Sequence, residues 1–220
     1  MVWRLDERPL FPDPRLAEPS GLVAVGGDLS VPRLLAAYRA GIFPWTAKPI
    51  TWWSPNPRGV LEINELHISR SLQRTLRRGS FRVTLDQDFP AVVAGCAQAP
   101  REEGATWISP GFQKAYLALH QSGVAHSVEV WSGTSLVGGV YGVSIGGFFA
   151  GESMFHRESD ASKVGLVRLV EHLRTRGFVL FDTQMVTPVT SSLGAREIPR
   201  ETYLTRLEQA VEMPVSFSPS

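Results

Sequence analysis

The sequence predicts an α/β protein made of a small N-terminal unit and a larger C-terminal unit. Apolar residues recur at helical spacing in some segments and alternate with polar residues in others, which indicates helices and half-buried strands in one chain. The 220 residues, 43% of them hydrophobic, are enough to bury a sizeable core. A formal net charge of +1 excludes a disordered polyelectrolyte and argues against a protein that coats nucleic acid through bulk charge.

The N-terminal unit begins with a segment, up to Pro19, that is rich in proline and charge and is expected to be irregular coil. A short apolar strand is expected within residues 21–29, and Asp28 or Ser30 is expected to cap a helix that ends at Gly41. A loop dense in proline and tryptophan follows over residues 43–57. A strand near Leu61 then leads into a basic helix.

The basic helix lies in a segment, residues 66–85, that contains no acidic residue. Ile68, Leu72 and Leu76 share one helical face, which indicates a docked amphipathic helix. The opposite face carries Arg70, Arg74, Arg77 and Arg78. Two interpretations stay open for this basic face: a solvated surface, or a row of contacts to nucleic-acid phosphates that relieves the repulsion between like charges.

A boundary between the two units is expected between residues 78 and 101, and we place it at residue 80, which gives units 1–80 and 81–220. The second unit is expected to begin with a strand over 81–85, a helix from Ser109 to Gly123 and a strand over 127–131. Two glycine-rich strands up to Met154 and the longest helix, from Asp160 to Gly177, are expected next. An apolar strand over 178–181 and a last helix after Pro199 complete the unit. This order resembles the sheet of the N-acetyltransferase type in topology alone. We therefore expect an acetyltransferase-like (GNAT-like) domain, with a mixed, mostly antiparallel sheet flanked by helices.

Several kinds of site are excluded by the sequence. The glycine-rich segments match neither a phosphate loop nor a dinucleotide fingerprint, and there is no GxSxG elbow. The five histidines have no zinc-binding spacing, and the single cysteine, Cys96, is expected to fill core space. We expect no metal and no cofactor. The lone cysteine and a charged N-terminus without an apolar leader segment predict a cytoplasmic protein that makes no use of the membrane.

Positive signals come from loop tryptophans and from acids at strand ends. Trp45 and Trp107 lie beside proline-containing turns, where they serve either as hydrophobic packing or as stacking surfaces for nucleobases. Asp182 and Gln184 follow the apolar strand, and Glu152 ends the uncharged hairpin. A carboxylate at such a position is costly to desolvate unless it is paired or functional, so these residues are either loop and cap ligands or site residues. Together with nearby apolar residues they predict an apolar pocket with a polar floor.

An ordered set of short motifs extends from about residue 11 to residue 204. The motifs are GLVAVGGDLS, RLLAAYRAGIFPW, WWSPNPR, LHISRS, REEGATWI, LVGGVYGV, GESMF, ASK, FDTQ and SSLGAREIPR. Each motif is weak by itself, but the ordered set resembles the bacterial leucyl/phenylalanyl-tRNA–protein transferases.

This resemblance implies transfer of leucine or phenylalanine, and of methionine more weakly, from aminoacyl-tRNA to proteins with an N-terminal Arg or Lys, which marks those proteins for degradation. It implies that Trp45 and Trp107 hold the 3′-terminal adenosine of the tRNA, and that Asp182 and Gln184 form a catalytic pair. The implied side-chain pocket consists of Phe149, Met154, Leu166, Leu169 and Phe181. The expected partners are leucyl-, phenylalanyl- and methionyl-tRNA and the acceptor proteins, and we expect a monomer.

The donor ester is already activated, so the reaction needs neither ATP nor a metal. We expect Asp182 to hold the acceptor amine directly or through Gln184, and the proton of the amine to be removed there. Help from the neighbouring ribose hydroxyl of the substrate in moving this proton is an open alternative. Glu152 is the candidate for the acidic mouth that receives an N-terminal Arg or Lys. Two rival functions are a CoA-dependent N-acetyltransferase, whose Gln/Arg-x-x-Gly-x-Gly/Ala turn is absent from SDASKVG, and a non-catalytic RNA-binding module.

Overall fold

The structure is a computed structural model that describes residues 2–100 and 106–218. Within the described residues the strands form one four-stranded and one seven-stranded sheet. The first five residues of the REEGATWI motif lie outside the described residues.

The four-stranded sheet belongs to the N-terminal part of the chain. Its strands are β1 (Trp3–Leu5), β2 (Leu22–Gly26), β3 (Phe43–Ala47) and β4 (Ile50–Trp53), in the order β1-β2-β4-β3, and helix α1 (Val31–Arg39) connects β2 to β3. Two expectations were wrong here. The first residues contain strand β1 and a 3-10 turn at Pro14–Leu16 rather than coil alone, and most of the expected proline- and tryptophan-rich loop is a β3–β4 hairpin. The aromatic and β-branched residues of β4 favour a strand, and Pro44 is tolerated because β3 is an edge strand.

The seven-stranded sheet forms the centre of the molecule, in the order β11-β5-β10-β9-β8-β7-β6. Its strands are β5 (Arg58–Leu61), β6 (Arg82–Leu85), β7 (Ala125–Ser132), β8 (Ser135–Ile145), β9 (Phe148–His156), β10 (Leu180–Gln184) and β11 (Arg196–Ile198). The pairing of β10 with β9 is parallel and the other pairings in this sheet are antiparallel. The prediction of a mixed, mostly antiparallel sheet flanked by helices is therefore confirmed.

Helices cover both faces of this sheet. The helices of this part of the chain are α2 (Arg70–Arg78), α3 (Phe89–Gln98), α4 (Pro110–Gln121), α5 (Ala161–Arg176), α6 (Pro188–Ser192) and α7 (Arg200–Ala210). Of these, α3, α4, α5 and α7 contact strands of the sheet directly. The sequence predicted α2, α4, α5 and α7 but not α3, α6 or β11. Helix α3 has the sequence FPAVVAGCAQ, which is apolar almost all round and so has no amphipathic period to find.

Alternate residues of β8 contribute to the two apolar cores. Tyr141 belongs to the core that includes residues of α3 and α4, whereas Val140 belongs to the core that includes residues of α5. The strand is buried along most of its length, which explains its low charge and its high content of glycine and valine.

The two sheets divide between Trp53 and Arg58. Strand β5 lies in the large sheet and α2 contacts α5, although both precede residue 80. The assignment of residues 1–80 and 81–220 as separate units stays a prediction.

Close packing of α3 on the sheet gives a test of the fold. A Cβ atom at Gly95 would lie 2.6 Å from the Phe155 ring. We expect Gly95→Ala to lower the free energy of unfolding by about 1–3 kcal/mol, because a methyl group must be forced into a filled core. Urea denaturation measures this change. Gly111→Ala is the matched control in α4, where the nearest atom to an added Cβ is 3.6 Å away, and equal stability of the two variants would contradict the packing described here.

Candidate functional site

A cavity of about 500 Å³ lies where residues of the two sheets meet. Strand β3 supplies Phe43, Pro44 and Trp45 to its wall, and Trp107 comes from the segment before α4. The rest of the wall is formed by Val140, Gly151, Glu152, Ser153, Met154, Leu166, Phe181, Thr183, Gln184, Met185, Thr187 and Thr190. The cavity therefore has an aromatic part, an apolar part and a polar part.

Glu152 and Gln184 form a hydrogen-bonded pair in the polar part of the cavity. The side-chain amide Nε2 of Gln184 donates to Glu152 Oε1 at 3.2 Å, and the hydroxyl of Tyr116 donates to Glu152 Oε2 at 2.5 Å. The Tyr116 hydroxyl is hydrogen-bonded in turn to that of Tyr38, at 2.9 Å. Burial raises the pKa of Glu152 to about 7, and hydrogen bonds from the tyrosines offset only part of this effect. The sequence predicted Glu152 and Gln184 as site residues, but it did not single out either tyrosine. An acidic mouth formed by Glu152 for the acceptor stays a prediction.

The predicted catalytic pair is divided by the structure, because Gln184 lines the cavity whereas Asp182 lies fully buried behind it. Arg58 binds the Asp182 carboxylate at two points, Nε to Oδ1 at 2.9 Å and Nη2 to Oδ2 at 2.6 Å. Oδ2 also accepts from the Tyr203 hydroxyl at 2.9 Å, and Oδ1 accepts from the backbone N–H of Gln184 at 2.8 Å. Each oxygen of this carboxylate thus already has two donors from the protein. The role of Asp182 in catalysis stays a prediction.

The backbone conformation of Gln184 is stabilised by the hydrogen bond from its N–H to Asp182. The sequence predicted that Asp182 and Gln184 follow the apolar strand, but β10 extends through both residues and has an irregular register with β5 between them. Gln184 has φ +55°, a left-handed conformation that is unusual for a residue other than glycine. Gly59, its partner on β5, makes room for this bulge, since a Cβ there would lie 2.7 Å from the backbone of Met185.

Both predicted tryptophans lie at the cavity. Trp45 packs edge-to-face against Trp53 with 5.5 Å between ring centroids, and Trp107 packs in the same way against Phe112 at 5.3 Å. Each indole is half-buried, so it is held by neighbouring rings while part of its surface stays accessible. Flat surfaces of this kind are suited to stacking against a planar group.

The predicted apolar pocket is partly at the cavity wall and partly behind it. Met154, Leu166 and Phe181 line the cavity. Phe149 and Leu169 are buried and do not line it, although Phe149 packs edge-to-face on Phe181 with 5.5 Å between centroids. The sequence pattern predicts that both side chains are buried, but it does not tell whether a buried side chain reaches the cavity wall or lies behind it.

Arg70, Arg74, Arg77 and Arg78 are all exposed on helix α2, as the amphipathic pattern predicted. Ser69 caps the helix by accepting from Leu72 N–H, and Leu72 is its buried anchor. Among the described residues no ion pair neutralises any of these four guanidinium groups. Contact with phosphates stays a prediction.

No group of three or more His, Cys, Asp or Glu side chains within residues 2–100 and 106–218 is placed to hold a metal ion. None of the described helices is both long enough and apolar enough to cross a membrane.

A mixed α/β fold with a cavity that joins a carboxylate and an amide to an apolar recess is suited to transfer of an acyl group between bound substrates. The chain belongs to the leucyl/phenylalanyl-tRNA protein transferase family, and it is a transferase. The sequence model of this family matches residues 60–208, and the model of the family's N-terminal domain matches residues 27–56.

Individual relatives cover almost the whole chain. A leucyl/phenylalanyl-tRNA–protein transferase of Anaeromyxobacter sp. (strain K) is 54% identical over 217 residues, which is 97% of this chain and 93% of that protein. Another, of Ectopseudomonas mendocina (strain ymp), is 54% identical over 214 residues, which is 94% of this chain and 95% of that protein. Among solved structures, a GCN5-related N-acetyltransferase from Kribbella flavida is 10% identical, with a TM-score of 0.42, over 74% of this chain and 59% of that one.

Arg58 was not predicted as a site residue, and its substitution tests how much the buried ion pair with Asp182 contributes to stability. We expect Arg58→Met to lower the free energy of unfolding by about 3–5 kcal/mol, because it leaves the buried Asp182 carboxylate without its cation. Arg168→Met is the control, since it removes an exposed pair with Glu171 whose loss is expected to cost under about 1 kcal/mol. Chemical denaturation measures both values, and equal values would contradict this account.

Proposed function

We propose that this protein transfers leucine or phenylalanine, and methionine less well, from aminoacyl-tRNA to the α-amino group of proteins that begin with Arg or Lys, and so marks them for degradation in the cytoplasm. The observation that carries the proposal is that one cavity brings together two accessible tryptophans, the Glu152–Gln184 pair and an apolar recess. Membership of the family supports the donor and acceptor classes.

The aromatic part of the cavity is suited to the end of the tRNA. In the proposal Trp45 and Trp107 stack on the 3′-terminal adenosine, and such stacking contributes about 1–3 kcal/mol per base. The exposed arginines of α2 bind phosphates farther along the tRNA. This arrangement leaves the aminoacyl ester at the centre of the cavity.

The aminoacyl side chain occupies the apolar recess. Met154, Leu166 and Phe181 supply its lining, and none of these side chains has a group that would satisfy a polar substrate atom. An apolar pocket distinguishes side chains that differ by a methylene by only about 1–3 kcal/mol, which accounts for weaker use of methionine beside leucine and phenylalanine. A recess shaped for an unbranched β-carbon excludes isoleucine and valine by steric contact.

The reaction forms a C–N bond between the acceptor nitrogen and the aminoacyl carbonyl carbon, and it breaks the C–O ester bond to the tRNA ribose. The attacking nitrogen loses one proton and the departing ribose oxygen gains one. An acceptor α-amine has a pKa of about 7.7–8.0, so a useful fraction is neutral near pH 7. The enzyme's main task is then to hold the amine against the ester in the correct orientation.

Glu152 and Gln184 are the groups that would hold this amine. A carboxyl group whose pKa is about 7 accepts a proton from an amine with little energetic mismatch. Gln184 orients the amine through its side-chain carbonyl, while its Nε2 stays bonded to Glu152. Each oxygen of Asp182 already accepts two hydrogen bonds from the protein, whereas each oxygen of Glu152 accepts one from the described residues. The geometry therefore favours an indirect role in which Asp182 positions Gln184.

The test of function supplies labelled leucyl-tRNA and an acceptor peptide that begins with Arg. We expect label to appear on the acceptor and to be lost after ribonuclease treatment. A matched acceptor that begins with Ala is expected to receive none. A folded protein that binds tRNA without transferring the label would favour the RNA-binding alternative, and one that does neither would be tested with acetyl-CoA.

Glu152→Gln tests the proton acceptor. We expect transfer to fall about 100-fold, within the range of 10²–10⁴ that general base catalysis contributes, because the amide keeps the shape but accepts no proton. Binding of leucyl-tRNA, measured by filter retention, is expected to stay within twofold of the original. The control is Glu158→Gln, which alters an exposed carboxylate after β9. Equal losses in transfer and tRNA binding would contradict the assigned role.

The basic face of α2 is tested by replacing Arg74, Arg77 and Arg78 with glutamine. We expect weaker tRNA binding and a plot of log affinity against log salt whose slope is shallower by about 2, since each lost phosphate contact removes about 0.7–0.9. The control replaces Arg4, Arg8 and Arg39 with glutamine, which removes the same charge elsewhere on the exposed surface. An unchanged slope in the α2 variant would contradict the phosphate contacts and favour the interpretation of this face as a solvated surface.

A further inference from the structure

The segment after α7 packs against the apolar core that contains Leu166 and Phe181 of the recess. Its aromatic residue, Phe217, is only 2% exposed although its neighbours Ser216 and Ser218 are exposed. Arg176 donates to the carbonyl oxygens of both neighbours, at 2.9 Å from Nε and 3.0 Å from Nη2, and His172 Nε2 lies 2.8 Å from the Phe217 carbonyl. Helix α5 thus fixes the backbone on each side of a buried ring.

Phe217 lies in a row of rings that leads to the cavity. It stacks on His126, with 4.1 Å between ring centroids and 13° between planes, and on Phe149, with 5.8 Å and 26°. Phe149 packs edge-to-face on Phe181, and Phe181 lines the recess. The Phe217 ring is therefore two side chains away from the proposed aminoacyl group.

The two intervening rings have little room to adjust. A Cβ at Gly142 would lie 2.5 Å from the Phe149 ring, and one at Gly151 would lie 2.8 Å from the Phe181 ring, so both rings rest against strand backbone. His126, which also stacks on Phe217, is held by Asp86 through Nδ1 at 2.7 Å. Closely packed rings of this kind transmit a change in volume to their neighbours instead of absorbing it.

We infer that Phe217 sets the depth of the apolar recess, through Phe149 and Phe181, and thereby the preference of the enzyme between leucine and phenylalanine. This inference rests on the proposed function. Phe217 is a positioning residue, since it contacts no substrate atom. Removing its ring leaves space into which Phe149 and Phe181 can retreat, which deepens the recess and favours the longer side chain.

The experiment measures kcat/KM of Phe217→Ala with phenylalanyl-tRNA and with leucyl-tRNA, using one acceptor peptide. We expect the phenylalanine-to-leucine ratio to rise about 3- to 10-fold, which is below the roughly 10- to 200-fold effect of a methylene change in direct contact with substrate, because Phe217 acts through two intervening rings. Phe217→Leu, which retains an apolar group of similar size, is measured beside it and is expected to give a smaller shift in the same direction. It also keeps the test available if the alanine variant does not fold.

Val215→Ala is the matched control. Val215 is half-buried in the same segment and packs on the same core, so this variant reproduces a loss of tail packing without altering the row of rings. We expect it to leave the ratio within twofold of the original. If the Phe217 variants lose activity equally with both tRNAs, Phe217 serves stability alone and the inference is overturned. If the unsubstituted enzyme transfers neither amino acid, the proposed function fails, which is a distinct result.

Discussion

The buried ion pair between Arg58 and Asp182 is the interaction on which the rest of the site depends. Two charges out of water are tolerated only when their remaining hydrogen-bonding capacity is satisfied. Here the guanidinium also donates to the Gly41 carbonyl and lies over the rings of Phe43 and Tyr203, at 4.9 and 4.4 Å. The pair thus joins the end of the α1 segment, strands β5 and β10, and helix α7.

This pair also determines the shape of the polar floor. By accepting from the Gln184 backbone, Asp182 stabilises a left-handed residue at the bulge in β10, and that bulge directs the amide toward Glu152. Glu152 is held from the other side by Tyr116, which is bonded to Tyr38. Residues from α1, α4, β9 and β10 therefore meet in one hydrogen-bonded chain, so the site forms only after both sheets and their helices have packed together.

The two buried acids of the site, Asp182 and Glu152, have different electrostatic surroundings. The Asp182 carboxylate has a cation within hydrogen-bonding distance, whereas Glu152 is surrounded by neutral hydroxyl and amide groups and by the apolar recess. Burial without an adjacent cation is what brings the pKa of Glu152 near 7. Asp182 is thereby held in a buried ion pair, whereas Glu152 keeps a raised pKa, which suits it to the proton-accepting role that we propose for it.

The sequence by itself determined the amphipathic helices α2, α4 and α5 and the buried hairpin β8–β9, because each depends on local periodicity or on residue type. It singled out Trp45 and Trp107 but left open whether they are packed or accessible. It also indicated Glu152 and Gln184, since polar groups beside uncharged strands are conspicuous. Only the tertiary structure decided that Arg58 pairs with a residue 124 positions away, or that Phe217 packs behind the recess. Neither contact leaves a local pattern, because each joins segments that are far apart in the sequence. The partners are selected by the free-energy cost of burying an unpaired charge or of exposing an aromatic ring.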